Sequence, residues 1–492
     1  MLRNLIFIAI VACFSITSIA QTYTTPNTGV TWTLADLAAN SPSTVQISGS
    51  TYTLSENLII AQNDAITITE ELTLSIAADL LVTVFGELTV ANGPVTINAV
   101  DTNAPYEGFR FEQGAVVNIA NATITRGGGL RVLTENFTID NCIITDNVEG
   151  AATGAVISLS RGIPQITNNT ITFNDLPAIS SGANIEVSPY IFNNYIEGNN
   201  RENSNRPQIN MGITRPTDTL IIRQNIIIGD RNLDMVGGIA VANFLGGSGQ
   251  VLAAIDDNTI VDNRYGMTIL GNNSFAYVRG NTIENNDTQG NPNLGGSGIS
   301  LNSASAPMEV IATGNAFRGN LWGITLIDQA SINLGDGVDN PGNNVFSENG
   351  NTNEVYALYN NTPNTILAKN NCWIETDLPN TLEDAESVIF HFVDDPTLGE
   401  VIFDPVDCNT LGIADAREQS IVLAPNPAKN KVQFTNLGRF ERLVMYNVAG
   451  QEILSTEIFE GENTLHFSVP AGMYFISFHG EGNQVIEKLV VQ

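Results

Sequence analysis

The residues best suited to chemistry form one cluster near the middle of the chain, and this cluster could hold an anion. Its members are Asp230, Arg231, Asp262, Arg264 and Tyr265. Both arginines stand six residues after a recurring asparagine, so a repeating fold would stack one guanidinium group over the other. Stacked guanidinium groups need an anion between them, and a tyrosine ring can stack on a pyranose. The cluster therefore indicates either a site for an acidic sugar or an internal ion-pair ladder in which Asp287 satisfies Arg264.

Histidine and lysine, the usual general acids and bases, are scarce in this chain. The histidines are His391, His466 and His479, and the first of the four lysines is Lys369. A histidine-based triad or a histidine-rich metal site is therefore excluded over most of the sequence.

Calcium is the only cofactor for which the sequence offers candidate ligands. Asp336, Asp339 and Asn340 could hold Ca²⁺ in a loop, although no glutamate closes this segment at the spacing of known calcium loops. The alternative is that all three are turn residues. The adjacent Asp256 and Asp257 are candidates for paired catalytic carboxylates, but in a strand they would face opposite sides. The alternative is that they cap a turn. No cofactor is certain, and Ca²⁺ remains possible.

The charge balance excludes two classes of partner. The 492 residues include 51 acidic and 20 basic side chains, which gives a formal net charge of −31. Such a chain does not suit nucleic acid, whose phosphates require Lys and Arg, or an anionic membrane surface. Because 43% of the residues are apolar and only 14% are charged, the composition is that of a folded protein and not of a disordered polyanion.

The elements that must position the cluster come from an internal repeat. An asparagine recurs at intervals of 23 to 34 residues. A large apolar residue follows two positions later, Asp or Asn follows five positions after the first eight asparagines, and most repeats continue with Gly and an apolar residue. The recurring asparagines are Asn141, Asn169, Asn194, Asn225, Asn258, Asn281, Asn315, Asn344 and Asn371.

This period, with short alternating β patterns and Asn/Gly turns, predicts a solenoid with one coil per repeat. The apolar residue, Ile143 in the first repeat and Ile260 in the fifth, is expected to stack inside. The Asp or Asn should turn the corner, where its side chain can bond the neighbouring backbone and tolerate left-handed geometry.

The repeats resemble the right-handed parallel β-helix of pectate-lyase-like proteins over residues 45–408. Clean alternation such as Ile66-Thr67-Ile68 is similar to the opening coils of that family, and Phe403-Asp404-Pro405 belongs to a segment similar to its closing caps. The resemblance implies enzymes in which carboxylates hold Ca²⁺ and an Arg or Lys removes a proton beside a uronate. Cys372 and Cys408 flank one segment and could pair in an oxidising compartment, whereas Cys142 is predicted to be buried.

The two ends of the chain have different roles. Residues 1–20 have the pattern of a secretory signal, with Arg3, an apolar run and a cleavage site at Ser18-Ile19-Ala20. A lipoprotein box ending at Cys13 is the alternative. No other run is long enough to span a membrane. Residues 21–44 are predicted to form an N-terminal cap, with a short helix within Thr31 to Ala39.

Residues 423–492 follow a linker at 409–422 and show evenly spaced short strands, which predict a small β-sandwich. Three of its motifs resemble the type IX secretion sorting domain (type A) of Bacteroidota. These are Pro425-Asn426-Pro427, Tyr446-Asn447-Val448-Ala449-Gly450-Gln451 and Pro470-Ala471-Gly472-Met473-Tyr474-Phe475. The resemblance implies export by the type IX machinery and a protein that is secreted or attached to the outer-membrane surface. The alternative is a generic β-sandwich.

Differences in loop length predict a groove above the five cluster residues. The segments 199–212 and 286–298 are long, 230–238 is moderate and 263–266 is minimal. Two long loops would stand as walls ~14 Å apart, three strand spacings of ~4.8 Å, around a lower floor.

Two functions remain open. One is a secreted β-helix protein that binds or organises polysaccharide without catalysis, with an acidic polysaccharide as the candidate partner. The other is a polysaccharide lyase or related carbohydrate-active enzyme that uses an Arg base.

Overall fold

The chain folds into two compact units, Met1–Cys408 and Asn409–Gln492. The structure is a computed structural model that describes residues 21–245, 249–291, 296–351, 354–408, 428–436, 440–447, 452–459, 461–470, 472–480 and 484–491. The predicted signal peptide at 1–20, the linker at 409–422 and the Pro425-Asn426-Pro427 motif lie outside these residues. Neither helix in the described part of the chain has the length and hydropathy needed to cross a membrane.

Three long sheets, here called sheets A, B and C, make up the first unit. The chain visits them in that order from coil to coil as far as Val345–Ser347, the last strand of sheet C. Sheet A consists of Thr22–Thr24, Asn57–Ile60, Leu81–Val84, Gly108–Phe111, Leu130–Val132, Ile157–Leu159, Ile179–Ser181, Ile209–Met211, Ile239–Ala242, Met267–Leu270, Ser297–Ser303, Trp322–Asp328, Leu358–Asn361 and Ile389–Phe390. Sheet B consists of Thr31–Trp32, Ala65–Ile68, Glu87–Val90, Val116–Ala120, Asn136–Asp140, Gln165–Thr167, Tyr190–Phe192, Leu220–Arg223, Val251–Asp256, Ser274–Arg279, Met308–Thr313, Ile332–Gly335, Ile366–Ala368 and Val401–Ile402. Sheet C consists of Val45–Ser48, Thr51–Leu54, Leu72–Ile76, Val95–Ala99, Ala122–Thr125, Ile143–Thr145, Thr170–Thr172, Tyr195–Glu197, Ile226–Ile228, Thr259–Val261, Thr282–Glu284, Ala316–Arg318 and Val345–Ser347.

Consecutive strands of each sheet pair in parallel, apart from Val45–Ser48, which lies antiparallel to its neighbour. The predicted fold class, an all-β right-handed parallel β-helix followed by a small β-sandwich, is confirmed. Parallel crossovers in one sheet are right-handed in nearly all proteins, which is the reason to expect that hand.

Alternation of apolar and polar residues explains why each strand contributes to one continuous core. In Leu72–Ile76 the three apolar residues are buried and the intervening Thr73 and Ser75 face outward. The apolar residue two positions after the anchor, as in Ile260, is fully buried from the second repeat onward. Near the C-terminal end of this column Phe346 stacks on Phe317 and Trp373, with ring centroids 4.9 Å apart in both pairs. Each such burial stabilises the fold by ~1.5–3 kcal/mol.

Buried asparagines form a ladder at the turn between sheets B and C. The side-chain amide of each donates to Oδ1 of the next, as Asn225 does to Asn258 at 3.0 Å, and the backbone N–H of Asn225 donates to the same oxygen at 2.9 Å. The ladder residues are Asn169, Asn194, Asn225, Asn258, Asn281, Asn315, Asn344 and Asn371, each at most 2% exposed. The left-handed residue of this turn is the one before the ladder position, such as Asn168 or Asp257.

The register predicted for the first repeat is wrong by one residue. Asn141 has the left-handed backbone, and Cys142 takes the ladder position, where its N–H donates to Asn169. Ile143 is consequently 47% exposed, whereas Ile144 is buried. The corner position is likewise filled by the buried Asn147. The thiol of Cys142 takes over the ladder contacts, since its Sγ accepts from the N–H of Ala122 at 3.5 Å and donates to the carbonyl of Asp140 at 3.3 Å.

An aspartate at one ladder position should break the fold locally, since it removes both amide protons from a fully buried site. For Asn258→Asp we expect a loss of about 3–5 kcal/mol, the usual cost of an uncompensated buried charge, because the new carboxylate would face the carbonyl oxygen of Ile222 and Oδ1 of Asn281. Asn141→Asp is the matched control, because that side chain is exposed and its left-handed backbone suits Asp. Equal melting temperatures for the two variants in thermal denaturation would contradict this role of the ladder.

The first coil is closed by elements within the predicted cap. A helix, Leu34–Asn40, begins at a capping box on Thr33 and buries Leu37. The carboxylate of Asp64 accepts hydrogen bonds from the backbone N–H groups of residues 27–30 at 2.7–3.2 Å. Burial opposes ionisation of this carboxyl, but its hydrogen bonds outweigh that effect and lower its pKa. The predicted cap also contains strands that already pair with later coils.

The last coil is closed by a second helix, Leu382–Ser387, with its own capping box on Thr381. Cys372 and Cys408 form a disulfide, with Cα atoms 4.5 Å apart. Cys142 remains a buried thiol, and its burial raises its pKa to about 11. A short antiparallel pair, Gly350–Asn351 with Glu354–Val355, extends from the coils nearby.

The second unit is a sandwich of two antiparallel sheets. Their shared core includes Val432, Leu443, Ile476 and Leu489. The strands are Lys431–Asn436 and Gly461–His466 in one sheet, and Arg442–Asn447, Glu452–Glu457, Gly472–His479 and Gln484–Val491 in the other.

Candidate functional site

The loops predicted as groove walls both leave the edge between sheets C and A. Segment 199–212 follows strand Tyr195–Glu197 and runs into strand Ile209–Met211, and segment 286–298 follows Thr282–Glu284 and runs into Ser297–Ser303. Residues 292–295 of the second loop are outside the described part. The predicted placement of both loops on one side of the helix is therefore correct.

Arg231 is held by two carboxylates. Its Nη1 donates to Asp262 at 2.9 Å, and its Nη2 donates to Asp287 at 2.8 Å. These hydrogen bonds, first to Asp262 and then to Asp287, raise the pKa of Arg231. The side chain is still 52% exposed. Arg231 therefore belongs to an internal ion-pair ladder. The sequence predicted that Asp287 would pair with Arg264, whereas in the structure it pairs with Arg231.

Arg264 and Tyr265 are covered to different degrees. Arg264 is only 8% exposed, and its Nη1 donates to Asn205 in the first long loop at 2.5 Å. Tyr265 is half-buried, with its ring so close to Gly237 that a Cβ there would come within 2.2 Å of a ring carbon. Burial raises the pKa of Tyr265 to about 12. Tyr265 therefore covers the corner of the coil at Gly237.

Asp230 does not take the corner position that its place in the repeat predicts. Its carboxylate caps a local turn by accepting from the N–H of Asn232 at 2.9 Å. The corner positions form a second ladder of buried side-chain amides, and in it Gln208 stands in place of Asp230. Gln208 accepts from Asn199 at 3.1 Å and donates to Asn263 at 3.1 Å. A carboxylate could not donate to Asn263, which explains why a glutamine from a neighbouring loop is used.

The loops on this edge contact one another where the loop lengths predicted an open groove. Asn203 donates to Asp234 at 2.9 Å, and the hydroxyl of Thr288 donates to the carbonyl of Leu233 at 3.4 Å. These contacts, together with those of Arg231 and Arg264, join the loops of neighbouring coils. The joined loops, within segments 199–212, 230–238 and 286–291, are here called the wall and lie beside sheet A. Ligand binding by the five cluster residues remains a prediction, while the geometry points to a structural role for both arginines.

The wall stands beside a row of outward-facing residues at the middle of sheet A, here called the floor. Its members are paired one to the next in the strand register, so they lie in a line along the helix axis. They are Ser158, Ser180, Asn210, Ala240, Thr268, Ser300 and Thr325. Every one is small, and five carry a hydroxyl group.

The floor is recessed, as a comparison with the other two sheets shows. Ala240 is 5% exposed although it points away from the core. The outward-facing alanines of sheets B and C, Ala254 and Ala316, are partly exposed. Thr268 and Thr325 are 9% and 7% exposed. Sheet A therefore carries a trough along the axis, where the sequence predicted a groove across it.

Aromatic rings close the C-terminal end of the trough. Tyr359 and Phe390 continue the line of the floor, with ring centroids 4.6 Å apart. Trp322 stacks on Tyr359 at 4.7 Å, and Tyr356 meets Trp322 edge-on. Burial, together with the negative charge of Glu354, raises the pKa of both tyrosines. This partly exposed cluster offers apolar surface for a sugar ring.

Arginines occupy the other end of the same line. Arg110 pairs in register with Arg131, which pairs with Ser158 at the start of the floor. Arg110 forms an ion pair with Glu112, the residue that directly follows its strand. The sequence contains a signal for these positions, since both arginines stand between buried apolar residues, in Phe109-Arg110-Phe111 and Leu130-Arg131-Val132.

The acidic segments considered for Ca²⁺ and catalysis have structural partners. The carboxylate of Asp336 accepts from the N–H groups of Val338, Asp339 and Asn340 at 2.7–3.1 Å, and these bonds hold its pKa far below the usual range. Asp256 accepts two hydrogen bonds from Arg279, one from Nε and one from Nη2. Within the described residues no group of three or more His, Cys, Asp or Glu side chains could hold a metal ion.

Comparison with known proteins identifies the C-terminal unit. The family model for the secretion system C-terminal sorting domain matches residues 422–492. The chain therefore carries a type IX sorting domain, which engages the type IX secretion machinery, and the protein is exported to the cell surface or beyond. A solved structure described as "Crystal structure of Dettilon tailspike protein (gp208)" is similar at 15% identity and a TM-score of 0.30, covering 86% of this chain and 71% of that chain. No curated protein matches the sequence.

Proposed function

We propose that this exported protein binds a polysaccharide along the trough of sheet A without cleaving it. The observation that carries the proposal is the recessed line of small polar residues that ends in the aromatic cluster. From Ser158 to Thr325 the line crosses six strand spacings of ~4.8 Å, or ~29 Å. This length suits an extended polymer better than a single small ligand.

The chemistry of the floor also supports a carbohydrate. Hydroxyl and amide groups at Ser158, Asn210 and Ser300 can donate to and accept from sugar hydroxyls. Small side chains leave room for a chain to lie close to the backbone. The stacked rings of Tyr359 and Phe390 supply the apolar surface on which sugar rings pack.

Binding without turnover agrees with the residues on the floor. Hydrolysis of a glycosidic bond normally needs two carboxyl groups on either side of the bond. The seven floor positions from Ser158 to Thr325 carry hydroxyl, amide or methyl groups. The second candidate function is a lyase, which Arg131 favours because it stands as a potential base at the end of the same line. Absorbance of unsaturated products from uronate polymers, with and without Ca²⁺, would separate the two.

Filling the floor at its centre should block a polysaccharide. For Ala240→Trp we expect at least a tenfold loss of affinity for the bound glycan, since the indole would occupy the trough. Affinity electrophoresis against a panel of neutral and acidic polysaccharides measures this. Ala254→Trp, at an outward-facing position of sheet B, is the matched control and should bind like the parent. The proposal is wrong if Ala240→Trp, with an unchanged melting temperature, keeps the parent's affinity for every glycan that the parent binds.

A further inference from the structure

The two arginines at the N-terminal end of the trough form an arrangement that differs from the other arginine pairs of the β-helix. Arg110 and Arg131 are direct neighbours in the register of sheet A. Their flanking residues, including Phe109, Phe111 and Leu130, are buried in the core. Both arginine side chains therefore project from the outer face of sheet A. Like charges in directly opposed positions destabilise a sheet.

Elsewhere the protein places an acid between arginines. On sheet B the register runs from Arg223 through Asp256 to Arg279. Asp256 binds Arg279 at 2.7 Å, and Asp257 binds Arg223 at 3.2 Å. No acidic residue separates the two arginines of sheet A, although the chain as a whole has a formal net charge of −31.

Only one of the two arginines of sheet A has a partner. Arg110 pairs with Glu112, which directly follows the end of its strand. Arg131 makes no hydrogen bond and no ion pair with any residue in the described ranges, and it is partly exposed. Its guanidinium group therefore keeps its donors available at the point where the floor begins.

We propose that Arg110 and Arg131 bind an acidic group of the polysaccharide, so that the ligand in the trough is an anionic glycan. This inference rests on the proposed function. A planar guanidinium fork matches a carboxylate or a sulfate, because each offers two oxygens at the spacing of the donors. An anion between the arginines would also offset the repulsion between their like charges. The following Ser158 and Ser180 would then meet the hydroxyl groups of the same chain.

The test measures binding of three fluorescently labelled oligosaccharides of equal length to the full chain. One is a uronate oligomer, one is a sulfated oligomer and one is neutral. Arg131→Ala should weaken binding of the anionic oligomer tenfold or more, the range expected for a charge-assisted hydrogen bond, and change neutral binding less than twofold. Arg131→Lys should recover part of the loss, since it restores the charge but not the fork. Which anionic oligomer loses affinity distinguishes a carboxylate from a sulfate.

Arg223→Ala is the matched control, because it removes the same charge from an exposed strand position on sheet B. It should leave all three affinities within twofold of the parent. The melting temperature of Arg131→Ala should equal or slightly exceed that of the parent, because the substitution relieves a like-charge pair.

Three outcomes would overturn the inference: equal anionic binding by Arg131→Ala and the parent, an equal loss in Arg223→Ala, or a parent that prefers the neutral oligomer. If a neutral oligomer binds and Ala240→Trp blocks it, the trough remains correct and only the anion site fails. If the parent binds none of the three oligomers or the panel polysaccharides, both proposals fail.

Discussion

Removal of the chain from Leu423 onward should retain the β-helix inside the cell envelope. The sorting-domain match covers residues 422–492, and this segment falls within a compact unit separate from the coils. Its loss should therefore abolish export without unfolding the first unit. Fractionation and surface labelling with an antibody against the coils measure the effect, and we expect the surface signal to fall to background.

The matched experiment attaches residues 409–492 to an unrelated exported protein, which should then reach the surface. A truncated chain found at the surface in normal amounts would refute the sorting role. If the truncated chain is degraded in the cell, the same truncated protein can be purified and measured by circular dichroism. Its spectrum should still show β structure, because the first unit folds separately from the sorting domain.

An aspartate in the central core column should unfold several coils and not only one. Ile260 is fully buried and lies between Ile227 and Ile283 in the strand register. For Ile260→Asp we expect a loss of about 5 kcal/mol or more, because a cavity is added to the cost of an unpaired buried charge. Each coil is stabilised mainly by its neighbours, so the defect should spread along the axis.

Val261→Asp is the control for this variant, since the next residue along the strand faces outward and is partly exposed. Thermal denaturation should separate the two variants clearly. Hydrogen exchange should show lost protection in the strands on both sides of Thr259–Val261 for Ile260→Asp alone. Protection lost in that one strand only would contradict the shared core.

Local pattern was sufficient to predict the repeat, the core column and the sorting domain. Alternation of apolar residues with a period of two sets which side chains face inward, and that signal needs no knowledge of distant contacts. The same reasoning failed at Asn141, because an Asn stands next to a Cys there and both neighbouring registers satisfy the pattern. Only the buried Asn169 below it decides which residue enters the ladder.

The candidate site depended on contacts that the repeat pattern does not contain. Loop lengths correctly placed two long segments on one edge, but they did not show that Asn205 reaches Arg264 or that Asp287 binds Arg231. Nor did they show the trough, since a small residue such as Ala240 is ordinary in sequence and becomes notable only by its low exposure beside a wall of loops. The sequence by itself determined the direction of each side chain and the route of export. The tertiary structure decided which outward faces are recessed and which charges are paired, because both depend on coils that are adjacent in space and 20 or more residues apart in the chain.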